Sequence, residues 1–155
     1  MKFSSQEEYG LRCLIQIGKH QHLGGMTIPQ ISDAEGISIP HVAKLTRLLR
    51  LGGFIESTRG QDGGYALSRG PEEISVAEVL AVLGGRLFEA DFCEKHAGVE
   101  DMCNHNVSCS VKSLWQTIQQ AVDQVVTKIT LKDLMATDEP APTTIHIPDS
   151  IRSAV

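Results

Sequence analysis

Apolar side chains recur every three or four residues from Ser5 to Lys19, which is the spacing of one face of an α-helix. Ser4 or Ser5 can cap this helix, and two glutamates in its first turn suit the helix dipole. A second, shorter helix is predicted after Thr27, with a proline in its first turn and Gly36 closing it. The pattern therefore predicts two helices joined by a glycine-containing loop.

A third helix is predicted from Ile39 to Leu51, after a three-residue turn that ends at a capping serine. Its apolar residues share one side, which leaves a basic front. Two short helices around a tight turn are typical of a helix-turn-helix, whose second helix enters the major groove of DNA. The residues expected at base edges or phosphates are Ser38, Pro40, His41 and Lys44, and those expected at the phosphate backbone are Arg47 and Arg50. Without a further DNA-binding element, a solvated basic face would be the better interpretation.

The stretch STRGQDGGYALSRG, residues 57–70, predicts that further element. Strands at about residues 54–58 and 64–68 flank its glycine-rich turn, which is typical of a β-hairpin. A hairpin after a helix-turn-helix makes a winged helix, so the predicted fold class is mainly α with a small β-hairpin wing (α+β). We expect Arg59 to reach a minor groove, Gly60 to let the backbone approach the phosphates, and Gln61 to lie in the same wing.

A helix from Ile74 to Leu83 is predicted to begin at a serine cap, and an amphipathic helix is predicted over residues 111–129. Packing onto its own domain is one interpretation of that amphipathic helix, but its length of roughly 19 residues favours a subunit interface. The predicted divisions are a winged helix-turn-helix domain (1–83), a cysteine-containing loop (84–110), a dimerisation helix with a short final helix (111–135) and a tail expected to be disordered (136–155).

Charge and composition narrow the class of protein. The net charge of −5 disfavours a nucleic-acid binder, but residues 1–70 hold eight Lys/Arg against six Asp/Glu, which indicates a basic face on the first half. No signal sequence or apolar stretch of roughly 20 residues is present, so we expect a cytoplasmic protein without a membrane partner. No P-loop, G-x-S-x-G or H-E-x-x-H motif is present, so we expect neither an enzyme nor a small-molecule substrate. A thiol or metal-dependent redox enzyme is the alternative from another class.

Three of the four cysteines, Cys93, Cys103 and Cys109, form a Cys-x9-Cys-x5-Cys pattern. The spacing matches neither a ferredoxin run nor the Cys-x2-Cys pairs of most structural zinc sites. Three thiolates in a loop can still hold three corners of an iron–sulfur cluster, while zinc, a regulatory disulfide and inert thiols stay open. Cys13 lies among the apolar residues of the first helix, so we expect it in the core.

The chain resembles the IscR/NsrR-type family of iron–sulfur-dependent winged-helix regulators over about residues 1–135. The motifs that carry the resemblance are EYGLRCL at 8–14, the helix-turn-helix, ESTRGQDGGYALSR at 56–69 and the PEEISVAEVL that follows. The resemblance implies a homodimer formed through the long helix, a two-fold-related double-stranded DNA operator, and a [2Fe-2S] or [4Fe-4S] cluster in members that sense. It also implies a cluster-gated regulator, usually a repressor, of genes for iron–sulfur assembly, iron, redox or nitric-oxide response.

The resemblance leaves more than one choice for the fourth cluster ligand. Regulators of the IscR type use a histidine three residues after the last cysteine, where this chain has Lys112. Glu8 matches the acidic N-terminal ligand of nitric-oxide-sensing relatives and is our choice, with His96 and His105 as competitors. A cofactor-free regulator with a cysteine redox switch is the alternative within the same fold.

Overall fold

The structure, a computed structural model, describes residues 4–58, 63–86 and 109–136. Helices dominate these ranges, with two short antiparallel strands between the third and fourth helices. The elements are α1 (Ser5–Lys19), α2 (Ile28–Glu35), α3 (Ile39–Leu51), β1 (Ile55–Ser57), β2 (Tyr65–Leu67), α4 (Val76–Leu83), α5 (Ser110–Val126) and α6 (Leu131–Ala136), with 3-10 turns at Gln21–Leu23 and Pro71–Glu73. This architecture confirms the predicted fold class.

Local capping explains where the first helices begin and end. Ser4 and Glu7 form a reciprocal capping box at the start of α1, and Thr27 does the same with Gln30 at the start of α2. Gly36 ends α2 in the left-handed conformation, with φ 65°, which a residue with a side chain seldom adopts. The tight turn between α2 and α3 follows from that glycine.

The hydrophobic core joins the helix-turn-helix to the elements on both sides of it. Leu14 of α1, Ile31 of α2 and Leu45 of α3 are fully buried in one cluster. Val79 of α4 and Leu131 of α6 belong to the same cluster. Because these five helices contribute to a single core, burial of these side chains fixes the orientation of α3 relative to the other four.

The chain returns to this core after α5. The Val76 amide donates to the Ile129 carbonyl over 2.9 Å, and the Leu131 amide donates to the Ile74 carbonyl over 2.8 Å. These bonds lead the chain out of α5 at Val126, three residues before the predicted end of that helix. Helix α6 then packs against α1. The predicted segment 111–135 thus contains a final helix whose Leu131 is buried in the same core as residues of α1, α2, α3 and α4.

Helix α5 packs against α4, and the apolar side chains near its start are exposed. Val111 is 56% exposed and Leu114 is 54% exposed. No helix in the described ranges is long and apolar enough to cross a membrane. The expected disordered tail and most of the cysteine-containing loop lie outside the described residues.

Candidate functional site

Helix α3 presents a basic face on the side opposite the core. Val42, Leu45 and Leu49 have no exposed surface, whereas Lys44 and Arg47 are exposed on the other side of the helix. Arg50 is also exposed, at the last turn. Thr46 is also buried on the apolar side, where its hydroxyl donates a hydrogen bond to the Val42 carbonyl over 3.0 Å. The three cations therefore lie where DNA phosphates could reach them, and contact with DNA stays a prediction.

The start of α3 carries the three remaining residues that the sequence singled out. Ser38 is the N-cap and is exposed, but its side chain makes no capping hydrogen bond. Pro40 is exposed in the first turn. His41 is half-buried, with its ring edge against the Tyr9 ring at 5.5 Å between centroids. Tyr9 therefore holds the histidine from α1, while the serine hydroxyl is not used by the helix.

A polar network fixes α1 against the end of α2, and the sequence pattern did not predict it. The Arg12 Nε and Gln16 Nε2 atoms each donate to the Glu35 carboxylate over 2.6 Å. The Glu35 side chain is only 8% exposed. The hydrogen bond from Arg12 to Glu35 and the negative charge of Glu35 raise the pKa of the Arg12 guanidinium above its ordinary value. The i, i+4 spacing of Arg12 and Gln16 was the available signal, but their partner lies in another helix.

The base of the wing is anchored to the loop before α2. The Met26 amide donates to the Tyr65 carbonyl over 3.0 Å, and the Tyr65 amide donates back to the Met26 carbonyl over 2.8 Å. A Cβ atom on Gly25 would lie 2.3 Å from the Tyr65 carbonyl oxygen, so this close approach requires glycine. The wing and the helix-turn-helix are consequently joined by backbone hydrogen bonds. Arg59, Gly60 and Gln61, at the tip, lie outside the described residues.

Cys109 occupies the N-cap of α5 and is partly exposed. Its sulfur accepts a hydrogen bond from the Lys112 amide over 3.3 Å. Lys112, at the position where IscR-type regulators have histidine, therefore contacts the cysteine sulfur through its backbone amide.

Cys13, in contrast, is fully buried in the core. Desolvation raises the pKa of its thiol to about 11. The cysteine is therefore a protonated core residue at neutral pH, which confirms the prediction. Glu8 is exposed in the first turn of α1, and its neighbour Glu7 forms the capping box instead.

Cys93 and Cys103 lie outside the described residues. Within the ranges that the structure does describe, no group of three His, Cys, Asp or Glu side chains could hold a metal ion. A cluster bound as the sequence predicts would need the ligands of the undescribed loop. The four-ligand set of Cys93, Cys103, Cys109 and Glu8 therefore stays a prediction.

Both ends of that loop are attached to α5. At one end, Arg86 pairs with Asp123, which also accepts a hydrogen bond from Gln119 over 2.8 Å. At the other end, Cys109 caps the helix directly. Beside the Arg86 attachment, a cleft of about 260 Å³ separates the start of α1, α4 and α5. The described residues on either side of the loop, Arg86 and Cys109, thus both contact α5.

Comparison with known proteins gives the family. The Rrf2 family model, described as an iron-dependent transcriptional regulator, matches residues 3–137. Protein rrf2 of Nitratidesulfovibrio vulgaris is 31% identical over 135 residues, covering 87% of each chain. The transcriptional regulator IscR of Aliivibrio salmonicida is 28% identical over 139 residues, covering 90% of this chain and 80% of its own.

Two solved structures have the same fold. CymR, the global cysteine regulator of B. subtilis, superposes with a TM-score of 0.71 at 28% identity, covering 89% of this chain and 99% of its own. IscR of T. potens superposes with a TM-score of 0.70, also at 28% identity, covering 93% of both chains. The matches are transcriptional regulators and not enzymes. With its winged helix-turn-helix and exposed basic α3, the chain belongs to the Rrf2 family of DNA-binding transcriptional regulators.

Proposed function

We propose that this regulator is a homodimer that senses through an iron–sulfur cluster, with Cys93, Cys103 and Cys109 as thiolate ligands and Glu8 as the fourth. The observation that carries the proposal is the position of Cys109, partly exposed at the start of α5 with its sulfur facing the Lys112 amide. A thiolate there suits soft iron and is accessible from the loop that carries the other two cysteines. The resemblance to IscR-named regulators supports the same cofactor.

The bound cluster would supply a centre whose state changes with iron supply, oxidation or nitric oxide. The protein's part is to connect that centre to the DNA-binding elements. Loop 87–108 follows Arg86, which is paired with α5, and α5 packs against α4 of the winged-helix core. Ligation of the loop cysteines would restrain this connection, so the spacing between the two α3 helices of a dimer would depend on it.

Dimerisation through α5 is supported by its exposed apolar side chains. Val111 and Leu114 are more than half exposed, and Trp115 and Ile118 are only partly covered on the same helix. Apolar residues at three- and four-residue spacing form a stripe that a second copy of α5 could bury. Such a dimer would present two basic α3 faces to a two-fold-related operator.

The cluster test compares two cysteines that differ in burial. We expect anaerobically purified protein to contain iron and sulfide and to absorb visible light. Cys109→Ala should lose the band and most of the iron, whereas Cys13→Ala, in the core, should keep both when folded. Iron and sulfide analysis with an absorption spectrum checks this. A colourless wild-type protein without iron or sulfide would contradict the proposal.

Glu8 is tested against its neighbour in the same turn. Glu8→Gln should change the absorption spectrum and speed cluster loss, because a ligand is removed. Glu7→Gln changes the capping box of α1 and should leave the spectrum as it is. Equal spectra for wild type and Glu8→Gln would remove Glu8 from the ligand set.

A cysteine redox switch without a cofactor is the second candidate. It is favoured by the similarity to CymR, including the oxidized form of Staphylococcus aureus CymR, which superposes with a TM-score of 0.68 at 28% identity. This candidate predicts a colourless protein whose operator affinity changes on oxidation and returns on reduction. The metal analysis above therefore separates the two.

A further inference from the structure

The first residue of α3 is a large apolar side chain in contact with solvent. Ile39 is 53% exposed, whereas Val42, Leu45 and Leu49 of the same helix have no exposed surface. Pro40, the next residue, is exposed as well. Single exposed apolar side chains are common on protein surfaces, so the position of Ile39 is the informative fact.

That position is the part of a helix-turn-helix that meets the bases. Residues at the start of the second helix contact base edges in the major groove. Ile39 follows the exposed N-cap Ser38, and Lys44 and Arg47 are exposed further along α3. Their positive charges suit phosphates beside a groove, and an α3 bound there would bring its first turn to the groove floor.

The chemistry of the groove floor narrows what Ile39 can recognise. Each base pair presents hydrogen-bond donors and acceptors there, and thymine adds one apolar group, its C5-methyl. An isoleucine side chain has no donor or acceptor, so it would leave polar base edges without a partner. A methyl group is the complementary surface.

We propose that Ile39 is a specificity residue that packs against a thymine methyl group in each operator half-site, with Pro40 extending the apolar contact. The proposal rests on operator binding by α3, as proposed above. It assigns sequence preference to an apolar residue beside the polar and basic side chains of the same turn. The preference is for a thymine over a cytosine or an unmethylated uracil at one position.

The test removes the methyl group from the DNA. A duplex is first selected from a random library by the wild-type protein, and each thymine is then replaced in turn by deoxyuridine. Fluorescence anisotropy gives Kd for wild type and for Ile39→Ala. We expect wild type to lose about fourfold in affinity at one thymine per half-site, the value of one buried methyl group. Ile39→Ala should bind the thymine and uracil duplexes equally there.

Leu51→Ala is the matched control. Leu51 is 68% exposed at the other end of α3, roughly 18 Å from Ile39 along the helix axis. Its truncation should leave the uracil sensitivity of wild type in place, and circular dichroism confirms that each variant is folded. The proposal is overturned if no thymine shows the fourfold effect, or if Ile39→Ala shows it undiminished. Failure to select any duplex would instead overturn operator binding, and the proposal with it.

Discussion

Lys44 and Leu45 are neighbours in α3, yet Lys44 is exposed and Leu45 has no exposed surface. The difference follows from the helical turn, which places the lysine on the basic face and the leucine in the core shared by five helices. Sequence periodicity was enough to predict this division. It could not predict the Glu35 carboxylate bound by Arg12 and Gln16, because that contact joins separate helices.

Substitutions of these two neighbours should affect different properties, stability for Leu45 and operator binding for Lys44. Leu45→Ala should lower the free energy of unfolding by about 2–5 kcal/mol, because it leaves a cavity in the core. Lys44→Ala should change that free energy by less than about 0.5 kcal/mol, but should weaken operator binding and reduce the salt dependence by about one phosphate contact. Urea unfolding and anisotropy titrations in several salt concentrations measure both. A Lys44→Ala protein with an unchanged salt slope would remove the lysine from the interface.

At the scale of elements, the features that the sequence predicted correctly are those with local signals. Ser4, Thr27 and Gly36 start or end helices through contacts within a few residues, so they can be recognised in the sequence. The pairings of Met26 with Tyr65 and of Ser75 with Thr130 join distant parts of the chain and have no local signal. The wing anchor and the return of α6 to the core were missed for that reason.

Helix α6 is held at its start by a carboxylate. The Asp133 side chain accepts hydrogen bonds from the Thr130 amide over 2.8 Å and from the Thr130 hydroxyl over 2.7 Å. The hydrogen bond from the amide lowers the pKa of Asp133. A lowered pKa in the folded state stabilises the fold above the unfolded value of about 3.9, and this stabilisation is lost as pH falls through the folded pKa.

Asp133→Asn should therefore be less stable than wild type at pH 7, and the difference should shrink as pH falls below about 4. Urea midpoints of both proteins at pH 7 and pH 3 measure this. Asp33→Asn, at an exposed aspartate of α2, is the control for a general charge effect. A difference between wild type and Asp133→Asn that is the same at both pH values would show that the carboxylate charge is not involved.

At the scale of the whole molecule, the positions of the charged residues are more informative than the net charge. The chain is acidic overall, but its basic residues on α3 face away from the core, so local charge outweighs net charge in predicting a DNA-binding surface. Family membership gives transcriptional regulation, and the sequence motifs had predicted it. The proposed cluster is a finer property, because only Cys109 of its three cysteines lies in the described ranges.

One measurement tests most directly whether the state of the proposed cluster sets the affinity of the dimer for DNA. Kd for the selected duplex is determined anaerobically with the iron-loaded protein and with the same sample after iron chelation. A coupling free energy of about 1–3 kcal/mol predicts that the two values differ about five- to 150-fold. Equal Kd values for the loaded and the stripped protein would contradict the account.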